Sequence, residues 1–480
     1  MRKLSAFSAA YPTYAATRAL DDLRARDYPL LDGIRHVYLD YTAANLIPLS
    51  LVERHMALLR DHLLGNPHST NPASALTTTH VEQARLSVLE FFNADPDEYV
   101  VIFTGNATQG LKLVGEAYPF AADGEYLLTF DNHNSVNGIR EFARARHCPV
   151  TYVPVVLPDM RVDDAELASH LARPSRGGHR LFAYPAQSNF SGVQHPLDWI
   201  PLAQKHGWDV LLDAAAFTPT NALDLSRYRP DFVSQSFYKI FGYPTGVGCL
   251  IARKAALAKL RRPWFAGGTI TVASVQGDRF YLAEGESGFE DGTPNYLALP
   301  AIAFGLQHIA SIGIDIIHTR VACLTGWLLE RLGALHHANG SPLARIYGPR
   351  STRRRGGTVT FNFYDPQGQP IDHRVVEERA NAASISLRTG CFCNPGGGEI
   401  ALGITGTELA SCFHQPEHET RLTIEDFRLC IDGKSTGAVR VSLGLVTNVE
   451  DVNAFIRFAE TFLSAFAGAG ADRRQTERVL

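Results

Sequence analysis

The chain has 480 residues, 45% of them hydrophobic, and a formal net charge of −4. That length buries a large core without disulfide or metal staples and divides into two or three domains, or into one large α/β unit with a satellite. The weak, interspersed charge carries no electrostatic footprint for nucleic acid or an anionic membrane, which leaves small-molecule chemistry as the expectation.

The N-terminal segment has two early basic residues but no continuous apolar stretch, and no later segment approaches membrane-span length, so a soluble, cytoplasmic protein is expected. Seven cysteines, an odd number at irregular spacings, argue against a disulfide framework and for a reducing compartment. From residue 99 short apolar, β-branched runs alternate with segments of helical period. The runs 99–103, 125–130, 150–156, 180–186, 208–214, 231–237 and 246–252 are predicted strands, and 107–118 and 138–147 are helices of the kind that cross between parallel strands. After the long segment 294–335 a smaller set follows, with strands at 358–364, 383–389 and 438–444. It closes with a helix that presents Val452, Phe455, Ile456, Phe462, Leu463 and Phe466 on one face. The pattern predicts an α/β protein with a large, mostly parallel seven-stranded sheet and a smaller C-terminal α+β domain. The divisions expected are an N-terminal segment 1–37 packing with the small domain, a large domain 38–310, a small domain 311–470 and a frayed tail 471–480.

Sheets of this type bind ligands at the carboxyl ends of their strands. After the first run comes Thr-Gly-Asn-Ala-Thr-Gln-Gly (104–110), small residues leading into a helix. Such a turn offers backbone N–H groups and a positive helix end to a phosphate, although the segment alone reads equally as a capped strand-to-helix turn. Asp213 sits where the 208–214 strand ends, and Lys239 follows the 231–237 strand inside Ser-Phe-Tyr-Lys-Ile-Phe-Gly-Tyr. An Asp and a Lys leaving neighbouring strand ends suggest a pyridoxal-5′-phosphate (PLP) site, with the lysine as the imine partner and the aspartate on the pyridine nitrogen. An ordinary ion pair is the bland alternative. It is disfavoured because Lys239 lies among apolar and aromatic residues, where a desolvated amine becomes a nucleophile. Arg440, flanked by Val439, Val441 and Leu443, lies on a half-buried strand, and its fork suits a carboxylate. Cys391 and Cys393 stand two residues apart on a loop bounded by Gly390 and Pro395. Together with Cys412, His414 and Cys430 they fit no standard zinc spacing, and no metal site is expected.

The segments 38–48 (YLDYTAANLIP), 65–74 (GNPHSTNPAS), 234–248 (SQSFYKIFGYPTGVG), 291–295 (DGTPN), 388–396 (RTGCFCNPG) and 433–444 (GKSTGAVRVSLG) occur in the order found in the class V aminotransferase superfamily. The chain resembles the cysteine desulfurase group of that superfamily, and within it the PLP domain of molybdenum cofactor sulfurases. The resemblance implies the PLP-dependent transferase fold of type I, with Lys239 as the Schiff-base lysine and Asp213 as the pyridine-nitrogen partner. It places His133 on the ring face in proton transfer, Asn189 on the phenolic oxygen beside the substrate, and Ala107, Thr108, Ser236 and Tyr238 on the phosphate. Thr293 would reach that phosphate from the partner subunit of a homodimer, Arg440 would clamp the substrate carboxylate, and Cys393 would be the nucleophile. Tyr238 stands where desulfurases commonly have a histidine, and Ala216 stands where they often have a glutamine that contacts the cofactor.

The activity implied is removal of sulfur from L-cysteine, giving L-alanine and a Cys393 persulfide for transfer to an acceptor protein. Full-length molybdenum cofactor sulfurases carry a further C-terminal domain. With this chain ending at residue 480, a stand-alone desulfurase serving a separate acceptor is expected. A carbon–sulfur lyase, an epimerase or a kynureninase-like hydrolase is the alternative on the same scaffold, and a non-catalytic docking subunit of a sulfur relay is a third. The retained Cys loop separates the first reading from the second, and intact Lys239, Asp213 and His133 argue against the third.

Overall fold

The computed structural model describes residues 2–67, 69–415, 421–423, 426–427, 430 and 435–467. The central sheet has seven strands: β1 (Tyr99–Thr104), β2 (Glu125–Thr129), β3 (Val150–Val153), β4 (Arg180–Pro185), β5 (Asp209–Asp213), β6 (Phe232–Ser236) and β7 (Gly248–Arg253). Their order is β1-β7-β6-β5-β4-β2-β3, and all run the same way except β7, which is antiparallel to both of its neighbours. Helices cover both faces, so β1, β4, β5 and β6 are buried at every position, including the polar residues Asp209, Ser234, Gln235 and Ser236 at their ends. The third predicted strand is shorter than its apolar run. Val155 and Val156 leave the sheet to pair with Arg161 and Val162 in a two-residue hairpin.

A second sheet is wholly antiparallel, in the order β8 (Ala344–Tyr347), β9 (Thr358–Phe363), β11 (Ala438–Ser442), β10 (Arg388–Gly390). The single strand expected at 383–389 is two, because the chain changes partner at Leu387. Ile385–Ser386 pairs in parallel with Val37–Tyr38, whereas Arg388–Gly390 pairs with β11. The segment 294–335 folds as Pro300–Ile312 and Ile314–Gly333, bent by 67° at Gly313, and both helices bury much of their surface. Among the described residues no single helix is long and apolar enough to cross a membrane. In the closing helix Val449–Ala467, Val452, Phe455, Ile456 and Phe462 are buried and Leu463 is partly buried; the side chain of Phe466 lies outside the described residues, as does the tail 471–480.

The N-terminal residues pack on the C-terminal ones. Arg24 donates to Val446 O at 2.8 Å and forms ion pairs with Asp451 and Asp32, and Arg320 donates to Thr17 O at 3.0 Å. Cys412 and Cys430 are joined in a disulfide, against the expectation that none forms. Their sequence separation of 18 matches no standard framework, so the pairing left no signal in the sequence.

Candidate active site

β1 delivers the chain to Gly105 and Asn106, and Asn106 caps helix α1 (Ala107–Ala117) by accepting from the Gln109 N–H at 3.0 Å. The end of β6 fixes this helix start. The Ala107 N–H donates to Ser236 Oγ at 2.8 Å, and Ser234 Oγ donates to the Ala107 carbonyl at 2.7 Å. The close approach requires Gly248, where an added Cβ would stand 2.6 Å from the Asn106 carbonyl carbon. Thr108 Oγ1 and Ser135 Oγ are 2.8 Å apart, which brings the turn bearing His133 against the same helix end.

Directly after β6 comes the short helix α2 (Phe237–Phe241), which carries Tyr238 and Lys239. It stops at Gly242, whose φ of +82° is left-handed and whose Cβ, if present, would collide with the Leu46 carbonyl. Lys239 therefore projects from a one-turn helix that cannot slide. Burial pushes its pKa below the usual lysine value, an effect opposed by Asp213 and reinforced by Arg440. Asp213, 9% exposed at the end of β5, accepts from the Ala215 N–H at 3.0 Å. His133 Nδ1 accepts from the Ser135 N–H at 3.1 Å, so the neutral ring carries its proton on Nε2. Burial lowers the His133 pKa, and Lys239 and Arg440 add to the depression against the pull of Asp213.

These groups surround one cleft of about 210 Å³. Gly105, Asn106, Ala107, Thr108, His133, Ser135, Gln187, Asn189, Asp213, Ala216, Ser236, Tyr238 and Lys239 line it. The three remaining site residues stand differently. Thr293 lines a neighbouring pocket with Gly105, Gln109 and Gly246, and accepts from Asn66 Nδ2 at 3.3 Å. Arg440, on β11, is 3% exposed and already engaged. Its Nη1 donates to the Asn189 carbonyl at 3.0 Å and its Nη2 to Asp40 Oδ1 at 3.2 Å, while Nε is buried without a partner. Burial lowers its pKa to about 10.

Cys393 is exposed, as is Cys391, and both are free thiols. Their loop is held on both sides rather than hanging free. Asn189 Nδ2 donates to Phe392 O at 2.7 Å, and the Asn134 N–H donates to Cys393 O at 2.7 Å. The fully buried Asn394 donates to Asp131 O at 2.7 Å and Asn189 Oδ1 at 2.9 Å, and caps helix α3 (Pro395–Leu402). The Phe392 ring packs on Phe190 and under the Arg440 guanidinium, 4.6 Å away. Phe392 and Cys393 both have left-handed φ, +57° and +55°, a conformation that costs non-glycine residues about 1–3 kcal/mol each and persists only because these anchors enforce it. A negative charge on Cys393 raises the pKa of Lys239, Arg388 and Arg440, so three cations stand within electrostatic reach of the thiol. Asn189 thus places its amide on the Cys loop, and the residues that do so much of the anchoring, Asn394 and Phe392, were not singled out from sequence. The Asn-Pro pair after the cysteines was the available signal, since Asn before Pro opens a helix.

The sheet order, a lysine on the helix after β6 and an aspartate at the end of β5 define the PLP-dependent transferase fold of type I. The class-V aminotransferase family profile matches residues 37–455, and the chain belongs to that family. It is 38% identical to the molybdenum cofactor sulfurase of Bos taurus over 461 residues, covering 92% of this chain and 51% of the relative. It is 37% identical to that of Solanum lycopersicum over 490 residues, covering 95% of this chain and 59% of the relative. The chain therefore spans between half and three fifths of the length of these relatives. Among solved structures, the apo cysteine desulfurase of Thermococcus onnurineus NA1 superposes with a TM-score of 0.74 at 24% identity, covering 92% of this chain and 98% of that one.

The residues present fit the cofactor. One carboxylate at a strand end, one amine of depressed pKa and a hydroxyl-rich helix start meet around a single cleft, the donor and acceptor set that a pyridine nitrogen, an aldehyde and a phosphate require. Among the described residues no group of three histidine, cysteine or acidic side chains is placed to hold a metal.

Proposed function

We propose that this chain is a PLP-dependent cysteine desulfurase that converts L-cysteine to L-alanine and loads the sulfur on Cys393 for an acceptor protein. The carrying observation is an exposed thiol, Cys393, within electrostatic reach of Arg388, Arg440 and Lys239, the last of which lines a cleft whose residues fit PLP. Similarity to two molybdenum cofactor sulfurases over nearly the whole chain supports the same reading. The family resemblance implies a homodimer in which the partner's Thr293 completes the phosphate site; within one chain Thr293 lines a pocket that shares Gly105 and Gly246 with the cleft.

Lys239 would hold the cofactor through its amine, Asp213 would keep a proton on its pyridine nitrogen, and the Ala107–Thr108 helix start with Ser236 and Tyr238 would bind its phosphate. When bound, PLP supplies an electron sink for charge released at the substrate Cα. Arg440, whose two Nη atoms donate to the Asn189 carbonyl and to Asp40, would meet the substrate carboxylate with its unpartnered Nε. His133, neutral with Nε2–H, moves protons at the ring face, and its lowered pKa keeps it in that form down to pH values below the usual histidine range. The Cys393 thiolate attacks the substrate Sγ: an S–S bond forms, the Cβ–S bond breaks, and the electron pair left on carbon ends as a C–H bond of alanine.

Purified protein loaded with PLP and given L-cysteine and a reductant tests the reading. Alanine and sulfide in equal amounts, lost in Cys393→Ala and in Lys239→Ala, are expected. Pyruvate and sulfide that survive Cys393→Ala would assign the chain to the carbon–sulfur lyases instead.

A further inference from the structure

The carboxylate clamp is not an isolated arginine. Asp40, 7% exposed, lies between two guanidinium groups: its Oδ1 accepts from Arg440 Nη2 at 3.2 Å, and its Oδ2 accepts from Arg388 Nε at 3.0 Å and Nη2 at 2.6 Å. Arg388 and Arg440 are direct cross-strand neighbours on β10 and β11, where two like charges repel unless something sits between them. Asp40 reaches them from the N-terminal segment through a bridge to Ser442. Arg440 keeps one edge open. Its buried Nε has no partner, and its Nη2 contact with Asp40 is the longer of the two arginine–aspartate links.

We propose that Asp40 sets the charge of the substrate-carboxylate site, leaving the Arg388–Asp40–Arg440 cluster with one net positive charge that a single incoming carboxylate neutralises. Two cations and one anion give that balance, and Lys239 and Asp213 offset one another deeper in the cleft. Tyr38, whose hydroxyl lies 3.5 Å from the Asp40 carbonyl, has its pKa pushed up to about 12 and adds no charge. On this account Arg388 is a specificity residue that need not touch the substrate. It holds Asp40 off the open edge of Arg440, and its charge makes room for a second anion. The site therefore favours an amino acid with one carboxylate over the same compound with its carboxylate esterified, and over one bearing a second carboxylate on its side chain. Arg388 also begins the strand that runs into Cys391, so the same contact ties the clamp to the thiol loop.

The inference rests on Arg440 being the carboxylate clamp of the proposed desulfurase. The experiment compares L-cysteine with L-cysteine methyl ester on the PLP-loaded protein, measuring KM and kcat for sulfide release and, separately, equilibrium binding of L-alanine and L-aspartate by the change in cofactor absorbance. Arg388→Gln is expected to reduce the acid-over-ester preference in kcat/KM about tenfold at low salt, mainly through KM, because it removes a charge close to, but screened from, the ligand. Arg388→Lys retains most of the preference. Asp40→Asn tightens L-alanine binding and admits L-aspartate. The double variant Asp40→Asn/Arg388→Gln restores the net charge and recovers the preference lost in Arg388→Gln. A wild-type protein that turns over L-cysteine with strong acid preference, but whose preference is unmoved in Arg388→Gln, or whose double variant is worse than either single, overturns the charge-balance account. A wild-type protein with no acid-over-ester preference at all overturns the clamp itself.

Discussion

Lys239 is a half-buried amine on the cleft wall, its pKa lowered chiefly by burial, and the direction of that shift fixes a pH dependence. Its folded pKa lies below 10.5, so at pH values between the two the unfolded chain binds more protons than the folded one, and stability must rise with pH through that window. The cofactor-free protein should therefore gain melting temperature on titration toward pH 10.5 relative to Lys239→Met, measured side by side by calorimetry; parallel curves would show that the amine is solvated after all. The same shift means that stripped protein takes up PLP through an uncharged amine at a pH where an exposed lysine is still protonated. Most residues with such roles were readable because their neighbours in sequence are diagnostic: Lys239 among aromatics, Asp213 after an apolar run, Arg440 within Ala-Val-Arg-Val-Ser. Asp40 and Arg388 were not, since an acid and a base 348 residues apart acquire meaning only when the fold brings both against Arg440.

At the scale of elements the Cys loop shows how local geometry is forced. Its two left-handed residues are stable because Asn394 caps the following helix while its side-chain amide grips Asp131 and Asn189. Asn394→Ala removes a cap and two buried hydrogen bonds and should cost about 2–3 kcal/mol in chemical denaturation. Desulfuration should fall further than stability alone predicts, because Cys393 loses its enforced direction, while PLP absorbance stays normal. Equal loss of cofactor binding and turnover would mean that the loop merely supports the fold. The strands of the large sheet were legible to within a few residues, since burial on both faces gives each an apolar stretch, with polar residues such as Asp213 and Ser236 gathered where the strands end at the cleft. The strand at 383–389 was not, because a change of pairing partner at Leu387 leaves no mark on an alternating sequence. The anchoring of the thiol loop was equally hidden: Gly390 and Pro395 advertise freedom, and the restraints come from Asn134, Asn189 and Asp131, remote in sequence.

For the molecule as a whole, the N-terminal residues act as a strap. Arg24 is buried against Asp451 at the start of the closing helix, and burial raises the Asp451 pKa even with Arg24 beside it. Removing the cation leaves a buried carboxylate unpaired, so Arg24→Ala should cost about 3 kcal/mol near neutral pH. Part of that loss should be recovered in acid, where Asp451 is protonated; an unchanged melting curve would make the strap dispensable. The antiparallel β7 has a consequence of another kind. It is the last strand of its sheet to be synthesised, yet it sits between β1 and β6, so β1 has no partner in the sheet until residue 253 exists. A ribosome-bound chain shorter than this exposes two open strand edges. Folding of the large sheet is therefore a late, closing event that waits for the lysine-bearing segment to emerge, and any chain truncated before residue 253 is a candidate for chaperone capture or aggregation instead of a partly active enzyme.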